Sequence, residues 1–207
     1  MNIFYTLLDK LYVNITNVCS CSCVFCLRES GDGVGDADTL RLSHEPTLDE
    51  IKSAFDSCLD NDRLDNKIEI VFCGYGEPME RAETVIAACG YIRSKSTLPL
   101  RLNTNGLVKL INPHFDLKKL SVFDSVSISL NAADKEEYFR LVRPRFGIEA
   151  YDSMLEFARE AAGYTKVVLT VVDIIGEEHI EKCREIALDI GVPLRVRRHI
   201  SDNISYS

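Results

Sequence analysis

Four cysteines lie close together near the beginning of the sequence, at Cys19, Cys21, Cys23 and Cys26. Three of them, Cys19, Cys23 and Cys26, have the spacing C-x3-C-x2-C. Three thiolates from one short loop can bind three irons of a 4Fe-4S cluster and leave the fourth iron open for a reaction. A zinc site with Cys21 as fourth ligand, or a set of incidental core cysteines, is the alternative. Zinc sites usually pair cysteines from two separated segments, and the sequence has no second C-x2-C, so we favour the cluster.

Four further cysteines stand apart from this group and from one another: Cys58, Cys73, Cys89 and Cys183. A free cysteine behaves as a small hydrophobic side chain, so we predict that these four pack in the core. Clustered cysteines in a reducing cytosol indicate metal or redox chemistry more often than disulfides. The opening residues MNIFYTLLDKLYVNIT lack a basic start and an apolar stretch that ends in a small-residue cleavage site. We therefore expect no secretory signal and a cytoplasmic protein.

The amino-acid composition is typical of a globular chain. Of the 207 residues, 46% are hydrophobic and 27% are charged, which argues against a disordered, collagen-like or membrane-spanning chain. No domain boundary stands out, so we predict a single domain over residues 1–207. The net charge of −8 disfavours unspecific binding to nucleic acid or anionic lipid, although it is compatible with local basic patches.

Six runs rich in Val, Ile and Leu alternate with stretches of helical periodicity, as expected of repeated βα units. The runs predict strands at residues 11–16, 68–73, 99–103, 125–130, 166–172 and 193–199. The periodic stretches predict helices at residues 47–60, 80–95, 115–120, 134–141, 149–162 and 177–190. Strands that are buried on both faces and linked by helices indicate a mainly parallel sheet. Six units are too few for a closed eight-stranded barrel.

Local signals refine the ends of these elements. Thr47 and Glu50 match a capping box at the start of the first long helix. Gly191 follows the last helix, where a glycine commonly ends the helical conformation. Residues 31–45 are rich in glycine and aspartate, and they predict a flexible loop directly after the clustered cysteines.

Polar residues follow or end several of the predicted strands. The second strand leads into CGYGEP (residues 73–78), the third into NTNG (103–106), and the fourth includes SISLN (127–131). The first, third and fifth residues of SISLN point to the same side, because side chains alternate along a strand. In parallel α/β sheets, ligands bind beyond the carboxyl ends of the strands. We therefore expect these segments to share one ligand site.

The cysteine spacing, with the aromatic Phe25 before the last cysteine, resembles the signature of radical S-adenosylmethionine (SAM) enzymes. The later segments resemble further elements of that superfamily, in the same order. CGYGEP is similar to the GGEP element, whose main-chain groups hold the amino group of the SAM methionine, with Tyr75 at the place of the first glycine. NTNG looks like the TNG element, and SISLN looks like the strand that binds the ribose and the carboxylate.

The resemblance implies an α/β fold, a partial (β/α)6 barrel with a mainly parallel six-stranded sheet. It implies a radical SAM enzyme that uses a 4Fe-4S cluster to cleave SAM reductively into methionine and a 5'-deoxyadenosyl radical, which abstracts a hydrogen atom from an unidentified substrate. The implied cluster ligands are Cys19, Cys23 and Cys26. The expected SAM-binding residues are Phe25, Tyr75, Gly76, Glu77, Asn103, Ser129, Asn131 and His199. His199 is similar in place to a polar side chain that reaches the methionine carboxylate in small activating enzymes.

The resemblance also implies a reducing partner such as flavodoxin or ferredoxin. The run SLNAADKEEYFRLVRP and the short chain resemble small radical SAM proteins that are associated with TatD-type nucleases. The alternative function is a non-catalytic iron-sulfur protein that transfers electrons or senses redox state. A weaker alternative is nucleic-acid contact through basic residues, against which the acidic net charge argues.

Four polar residues keep undetermined roles: Arg143, Asp173, Arg195 and Arg197. Alternation places Arg195, Arg197 and His199 on one side of the sixth predicted strand. An interior row of arginines is unfavourable unless the row meets carboxylates, a ligand or solvent. Asp173 is expected either to face the substrate or to cap the following helix.

Overall fold

The computed structural model describes residues 1–30 and 33–199, whose strands form one seven-stranded sheet. The strands lie side by side in chain order and are β1 (Phe4–Leu7), β2 (Lys10–Val13), β3 (Glu69–Phe72), β4 (Leu100–Thr104), β5 (Ser125–Ser129), β6 (Lys166–Val172) and β7 (Leu194–Arg197). β2 to β7 are parallel, whereas β1 is antiparallel to β2. Within the described ranges β7 does not pair with β1, so the sheet is open. The predicted α/β class and parallel sheet are confirmed.

The predicted number of six strands is wrong by one. The additional strand, β1, forms a hairpin with β2 in which Leu7 pairs with Lys10 across a two-residue turn. Leu8 in this turn has a φ of 54°, a left-handed conformation that glycine or asparagine usually supplies in hairpins. The sequence therefore carries no turn signal at this point, and the apolar pattern alone did not separate β1 from β2.

Seven α-helices lie in the described part of the chain: α1 (Leu27–Ser30), α2 (Leu48–Asp60), α3 (Ala82–Arg93), α4 (Val108–Ile111), α5 (Lys135–Val142), α6 (Ala150–Ala161) and α7 (Glu177–Ile190). The predicted helix 80–95 starts later than expected, because Pro78–Arg81 forms a 3-10 turn before α3. The predicted helix at 115–120 is also a 3-10 segment, Leu117–Val122. None of the described helices has the length and apolar character needed to cross a membrane.

The predicted helix caps are confirmed. The Thr47 hydroxyl accepts a hydrogen bond from the Glu50 amide at 3.2 Å, and the Glu50 carboxylate accepts one from the Thr47 amide at 2.8 Å. This reciprocal pair is a capping box at the start of α2. Gly191, with a φ of 81°, ends α7 in the left-handed conformation.

The two faces of the sheet differ in polarity. One face packs against the helices with fully buried apolar side chains: Leu11, Ile70, Phe72, Leu102, Val126, Ile128 and Leu169. The other, which we call the polar face, carries Tyr12, Arg101, Asn103, Ser127, Ser129, Thr170, Arg195 and Arg197. Paired residues on parallel strands share a face, as Asn103 does with Ser127. The polar face and the carboxyl ends of β2 to β7 therefore form the surface on which a ligand can bind.

The predicted flexible loop is packed where it is described. Its residues 31–32 lie outside the described residues, whereas 33–45 lie against β1 and the end of β2. The side chains of Leu40 and Leu42 are buried, and the Asn14 amide donates to the carbonyl oxygen of Leu40 at 2.6 Å. This anchoring depends on a side chain that follows β2, so the glycine and aspartate content of the loop did not predict it.

Candidate active site

The clustered cysteines lie in the loop between β2 and α1, and this loop is bonded to the end of α5. The Ser22 amide donates to the carbonyl oxygen of Val142 at 3.1 Å, and the Val24 amide donates to that of Leu141 at 2.9 Å. In return, the Arg145 amide, which follows α5, donates to the carbonyl oxygen of Ser20 in the loop at 2.9 Å. The loop is thus held as an extended ribbon beside the sheet, which gives its thiols defined positions.

The four thiols of this loop differ in their surroundings. Cys19, Cys23 and Cys26 are half-buried at the loop surface, whereas Cys21 is 3% exposed and belongs to the hydrophobic core. Cys21 Sγ accepts from the Asn105 side-chain amide at 3.5 Å. The loop therefore presents the three cysteines of the C-x3-C-x2-C spacing and turns the fourth cysteine inward.

The positions of the thiols argue against a zinc site. A zinc ion with Zn–S distances of about 2.3 Å brings its tetrahedral thiolates within roughly 4 Å of one another. Among residues 1–30 and 33–199, no three of these thiols lie within 4.8 Å of one another. Thiolates that bind different irons of one 4Fe-4S cluster are further apart than ligands of a single ion. In the described part of the chain, the thiols therefore do not form a close site for a single zinc ion.

The loop also supplies positive charge beside its thiols. Arg28 Nε donates to Cys26 Sγ at 3.3 Å, and its guanidinium lies 5.7 Å from the centre of the Tyr75 ring. A hydrogen bond from Cys21 and the charge of Arg28 lower the pKa of Cys19 to about 7. Burial, together with the neighbouring Cys19 and Cys26 thiolates, raises the pKa of Cys23 to about 12. Sequence reasoning missed Arg28, although its place two residues after Cys26 was a signal.

The CGYGEP segment follows β3 and uses its main-chain N–H groups within the protein. The Tyr75 amide donates to Asn14 Oδ1 at 3.0 Å, and the Gly76 amide donates to the carbonyl oxygen of Thr16 at 2.9 Å. The Glu77 amide donates to the carbonyl oxygen of Val18 at 2.8 Å. An ammonium ion donates hydrogen bonds and accepts none, so the main-chain groups that this segment can offer to it are carbonyl oxygens.

Gly76 is required by the close approach of two chain segments. A Cβ atom at this position would lie 2.3 Å from the carbonyl oxygen of Val18 and 2.7 Å from that of Thr16. Both distances are far below van der Waals contact, so a larger side chain cannot fit without a backbone shift. Gly76 therefore fixes how closely CGYGEP lies against the start of the cysteine loop.

Glu77 is a buried clamp between the ends of β3 and β4. One carboxylate oxygen accepts from the Met79 amide at 3.0 Å and from the Thr104 hydroxyl at 2.7 Å, and the other accepts from the Asn105 amide at 2.7 Å. Burial and the nearby Cys19 thiolate raise the pKa of Glu77 to about 8. Both oxygens contact protein donors. The Glu77 side chain thus holds the ends of β3 and β4 together, and a contact between Glu77 and SAM stays a prediction.

The predicted polar residues of β4 and β5 lie at the same edge of the sheet. Asn103 is half-buried and its Oδ1 accepts from Arg101 Nη1 at 2.7 Å. Ser129 is half-buried as the last residue of β5. Asn131 is 3% exposed and has a φ of 58°, a left-handed conformation that asparagine tolerates better than most residues. Asn103 and Ser129 thus lie near the ends of neighbouring strands, and Asn131 lies two residues beyond β5 at the same edge of the sheet.

His199 and Phe25 lie at the margins of this group. His199 follows β7 by two residues and is not part of the strand, and its main-chain amide donates to Asp173 Oδ1 at 2.9 Å. Asp173 therefore ties the ends of β6 and β7 together, which is neither of its two expected roles. Phe25 is half-buried and packs against the core beneath the cysteine loop.

The isolated cysteines divide into two kinds. Cys58, Cys89 and Cys183 are buried in the core, as predicted. Cys73 is only half-buried and shares a hydrogen bond with the Asn103 side chain, so it borders the polar face. The prediction of a packing role for Cys73 is therefore wrong, because the residue directly after β3 points to the ligand side of the sheet.

The residues of this edge fit a 4Fe-4S cluster and SAM. Three half-buried thiols form a donor set for iron. Within the described residues, the buried Asn131 Oδ1 has no hydrogen-bond partner, and neither has the buried hydroxyl of Tyr138. Tyr138 is close enough to Cys21 and Cys23 for their charges to raise its pKa, after burial itself. A buried polar atom without a hydrogen-bond partner lowers the stability of the fold by about 1–3 kcal/mol. Each of these two atoms is therefore suited to form a hydrogen bond with a bound group.

Comparisons with known proteins agree with this description. The family model described as the Radical SAM superfamily matches residues 13–189. The GTP 3',8-cyclase of Alkaliphilus metalliredigens (strain QYMF) is 26% identical over 200 residues, which cover 93% of this chain and 56% of that protein. The chain thus spans little more than half the length of this curated relative.

Solved structures share the fold at low sequence identity. Streptococcus suis SuiB bound to S-adenosylmethionine has a TM-score of 0.68 and 14% identity, with 93% of this chain and 41% of that chain covered. TYW1 with a lysine-pyruvate adduct bound has a TM-score of 0.62 and 15% identity, with 96% of this chain and 67% of that chain covered. Native anSMEcpe with bound AdoMet has a TM-score of 0.63 and 14% identity, with 92% of this chain and 51% of that chain covered.

The family match can be placed on the structure. It begins at the last residue of β2 and ends within α7, so it contains the cysteine loop, CGYGEP, NTNG and SISLN. β1 and β7 lie outside it. Because the match covers most of the chain and all of these segments, this chain belongs to the radical SAM superfamily.

Proposed function

We propose that this protein is an enzyme that cleaves SAM reductively and uses the resulting radical on a substrate. The observation that supports this most strongly is the cysteine loop, which presents Cys19, Cys23 and Cys26 and turns Cys21 into the core. When bound and reduced, a 4Fe-4S cluster supplies the electron that breaks a carbon-sulfur bond of SAM, giving methionine and a 5'-deoxyadenosyl radical that takes a hydrogen atom from the substrate.

The residues of this chain have separate tasks in the proposal. Cys19, Cys23 and Cys26 hold three irons, and Arg28 places a positive charge and an N–H donor beside Cys26. Hydrogen bonds to the cluster sulfurs and nearby charge tune such a centre. The Arg28 guanidinium would stabilise the negative charge that a bound cluster gains on reduction.

The SAM molecule would lie along the carboxyl ends of β3 to β5. Carbonyl oxygens of the turn at 74–76 accept hydrogen bonds from its ammonium group, which is a donor only. Asn131 Oδ1 accepts from a second donor of the ligand, and Ser129 adds a hydroxyl at the end of β5. Gly76 and Glu77 keep the two segments at the spacing that this binding needs.

The proposal requires a one-electron donor, since the chain itself holds no further reductant in its described part. Flavodoxin or ferredoxin is the class of partner that delivers single electrons at low potential. The substrate is a further partner. Both would reach the site from the open polar face.

The test is anaerobic reconstitution with iron and sulfide, reduction, and incubation with SAM. We expect iron and sulfide to bind, with formation of 5'-deoxyadenosine and methionine measured by mass spectrometry. Cys19→Ala, Cys23→Ala and Cys26→Ala should each lose both the cluster and 5'-deoxyadenosine. Cys21→Ala is the matched control and should keep both, because Cys21 lies in the core.

A reduced, intact cluster that forms no 5'-deoxyadenosine would contradict the proposal. That result would favour the alternative of an electron-transfer or redox-sensing iron-sulfur protein. A Cys21→Ala variant that loses the cluster while one of the other three variants keeps it would contradict the assignment of the ligands.

A further inference from the structure

β7 adds two arginines to the polar face, outside the part of the chain that the family model matches. Arg195 lies beside Thr170, and Arg197 lies beside Val172, on the neighbouring strand β6. Both arginines are exposed, so a ligand on the polar face can reach them. A third arginine, Arg101 of β4, is on the same face and is 8% exposed.

Of the three arginines, Arg101 alone is paired with a carboxylate in the described part of the chain. Arg101 Nε and Nη2 donate to the two oxygens of Glu69 at 3.0 and 2.8 Å, in a bidentate pair. Lys10 Nζ is also 3.8 Å from Glu69. Arg195 Nη2 donates to the neutral Ser127 hydroxyl at 2.9 Å. In residues 1–30 and 33–199, neither Arg195 nor Arg197 has a carboxylate partner.

The surroundings of these two arginines disfavour their charge. Although both residues expose part of their surface, the protein atoms around them on the polar face partly desolvate their guanidinium groups. This desolvation, followed by repulsion from Arg101 and Arg197, lowers the pKa of Arg195. Desolvation also lowers the pKa of Arg197, which the charge of Cys73 raises and that of Arg101 lowers. A guanidinium stays protonated even so. The polar face therefore holds positive charge that no described side chain neutralises, within a protein whose net charge is −8.

The arginines of β7 lie beside the expected SAM site. Arg195 reaches back along the sheet to Ser127, which lies two residues before the end of β5. Thr170, the strand partner of Arg195, is also the strand partner of Ser129. Arg197 lies within electrostatic range of Cys73 and of Cys23. The charge on the polar face therefore borders the space in which SAM is expected to bind.

We propose that Arg195 and Arg197 bind an oxyanion of the substrate, a phosphate or a carboxylate, and that Arg101 adds its charge from the Glu69 pair. The inference rests on the proposed function, because it names the class of substrate that this site accepts. A guanidinium fork binds two oxygens of such an anion at once. An anion here also removes the repulsion among the three arginines. SAM has a carboxylate of its own, so the test must separate the two sources.

The test uses the anaerobically reconstituted protein with SAM bound and measures the binding of inorganic pyrophosphate and of succinate by calorimetry. We expect at least one of the two anions to bind, with an affinity that falls as the sodium chloride concentration rises. The affinity should fall at least roughly tenfold in Arg195→Gln and in Arg197→Gln, the loss of about one charged hydrogen bond. Arg195→Lys should bind with intermediate affinity, because it keeps the charge and loses the fork.

Arg198→Gln is the matched control, since Arg198 directly follows β7 and is exposed. It should bind the anion as the wild type does. Circular dichroism and iron content check that each variant is folded and loaded. Two results would overturn the inference: equal anion affinity in Arg195→Gln, Arg197→Gln and the wild type, or displacement of the anion by SAM, which would assign the arginines to the SAM carboxylate. Formation of 5'-deoxyadenosine by the wild type tests the proposed function separately, because anion binding needs no electron transfer.

Discussion

The two halves of the sheet's carboxyl edge differ in how they use their polar groups. Beyond β2, β3 and β4, almost every such group that we describe is bonded to another part of the protein. Asn14 bonds the loop after β2 to both Leu40 and Tyr75. Glu77 bonds the end of β3 to Thr104 and Asn105 at the end of β4.

Beyond β5, β6 and β7, fewer of the polar side chains that we describe have a hydrogen-bond or ion-pair partner. Asn131 Oδ1 is buried without a partner in the described structure. Arg195 meets only a neutral hydroxyl among the described side chains. Arg197 has no carboxylate partner among the described residues, and it lies within electrostatic range of Cys73 and Arg101.

This difference shows a division of tasks along one edge. In the β2 to β4 half, the polar groups form hydrogen bonds within the protein. These bonds fix the cysteine loop, which must be rigid if its three thiols are to hold a cluster. The β5 to β7 half leaves acceptors and charges for groups that come from outside. Substitutions of the bonded side chains in the first half should therefore change stability, and substitutions of the unbonded side chains in the second half should change ligand binding.

The largest expected effect on stability is that of Gly76→Ala. The added Cβ would lie 2.3 Å from the carbonyl oxygen of Val18, so the variant should lose about 3 kcal/mol in the free energy of unfolding. Gly90→Ala is the matched control, because nothing lies within 4 Å of a Cβ at this exposed position in α3. It should gain about 0.5–1 kcal/mol through helix propensity. Urea unfolding of both apoproteins under reducing conditions measures the difference, and equal stabilities would contradict the tight approach at Gly76.

Glu77→Gln should have the next largest effect. The amide group must direct its NH2 either at the Met79 amide or at the Asn105 amide, which leaves two donors facing each other. We expect a loss of about 1–3 kcal/mol in the free energy of unfolding. Glu83→Gln makes the same change at an exposed ion pair with Lys119 and should cost less than about 1 kcal/mol. If both variants unfold at the same urea concentration, Glu77 is not a clamp.

Asn131→Gly tests the other half of the edge. Glycine accepts the φ of 58° without strain, so the change removes the side chain alone. We expect the Kd for SAM to rise roughly tenfold, because one hydrogen bond worth about 1.4 kcal/mol is lost, with little change in the free energy of unfolding. Asn66→Gly has a similar φ of 59° and should leave the Kd unchanged. A stability loss in Asn131→Gly much larger than in Asn66→Gly, with no change in Kd, would place Asn131 with the structural half.

The local chemistry of the sequence was sufficient for several features. The spacing of Cys19, Cys23 and Cys26 is a property of neighbouring residues, and so is the capping box of Thr47 and Glu50. The runs of Val, Ile and Leu located the six parallel strands because strands buried on one face by helices need apolar side chains. The segments after β3, β4 and β5 could be assigned to one edge because parallel strands end on the same side.

Other features depend on residues that are distant in the sequence. Glu77 meets Thr104, and Arg195 meets Ser127 across 68 positions. No local pattern specifies such partners, since they follow from which strands become neighbours in the sheet. For the same reason, the residues around Cys73 in the sequence did not place it on the polar face, which follows from how β3 pairs with its neighbours.

The sequence by itself determined the cysteine spacing, the order of the βα units and the superfamily to which they point, because these reside in short-range patterns of residue type. Only the tertiary structure decided which polar groups are bonded within the protein and which are left for ligands. Whether a side chain such as Asn131 or Arg197 has a partner depends on what folding brings within about 3 Å of it. Polar groups with partners in the protein mark the β2 to β4 half, which keeps the edge rigid. Polar groups without such partners mark the β5 to β7 half, which is left to bind ligands.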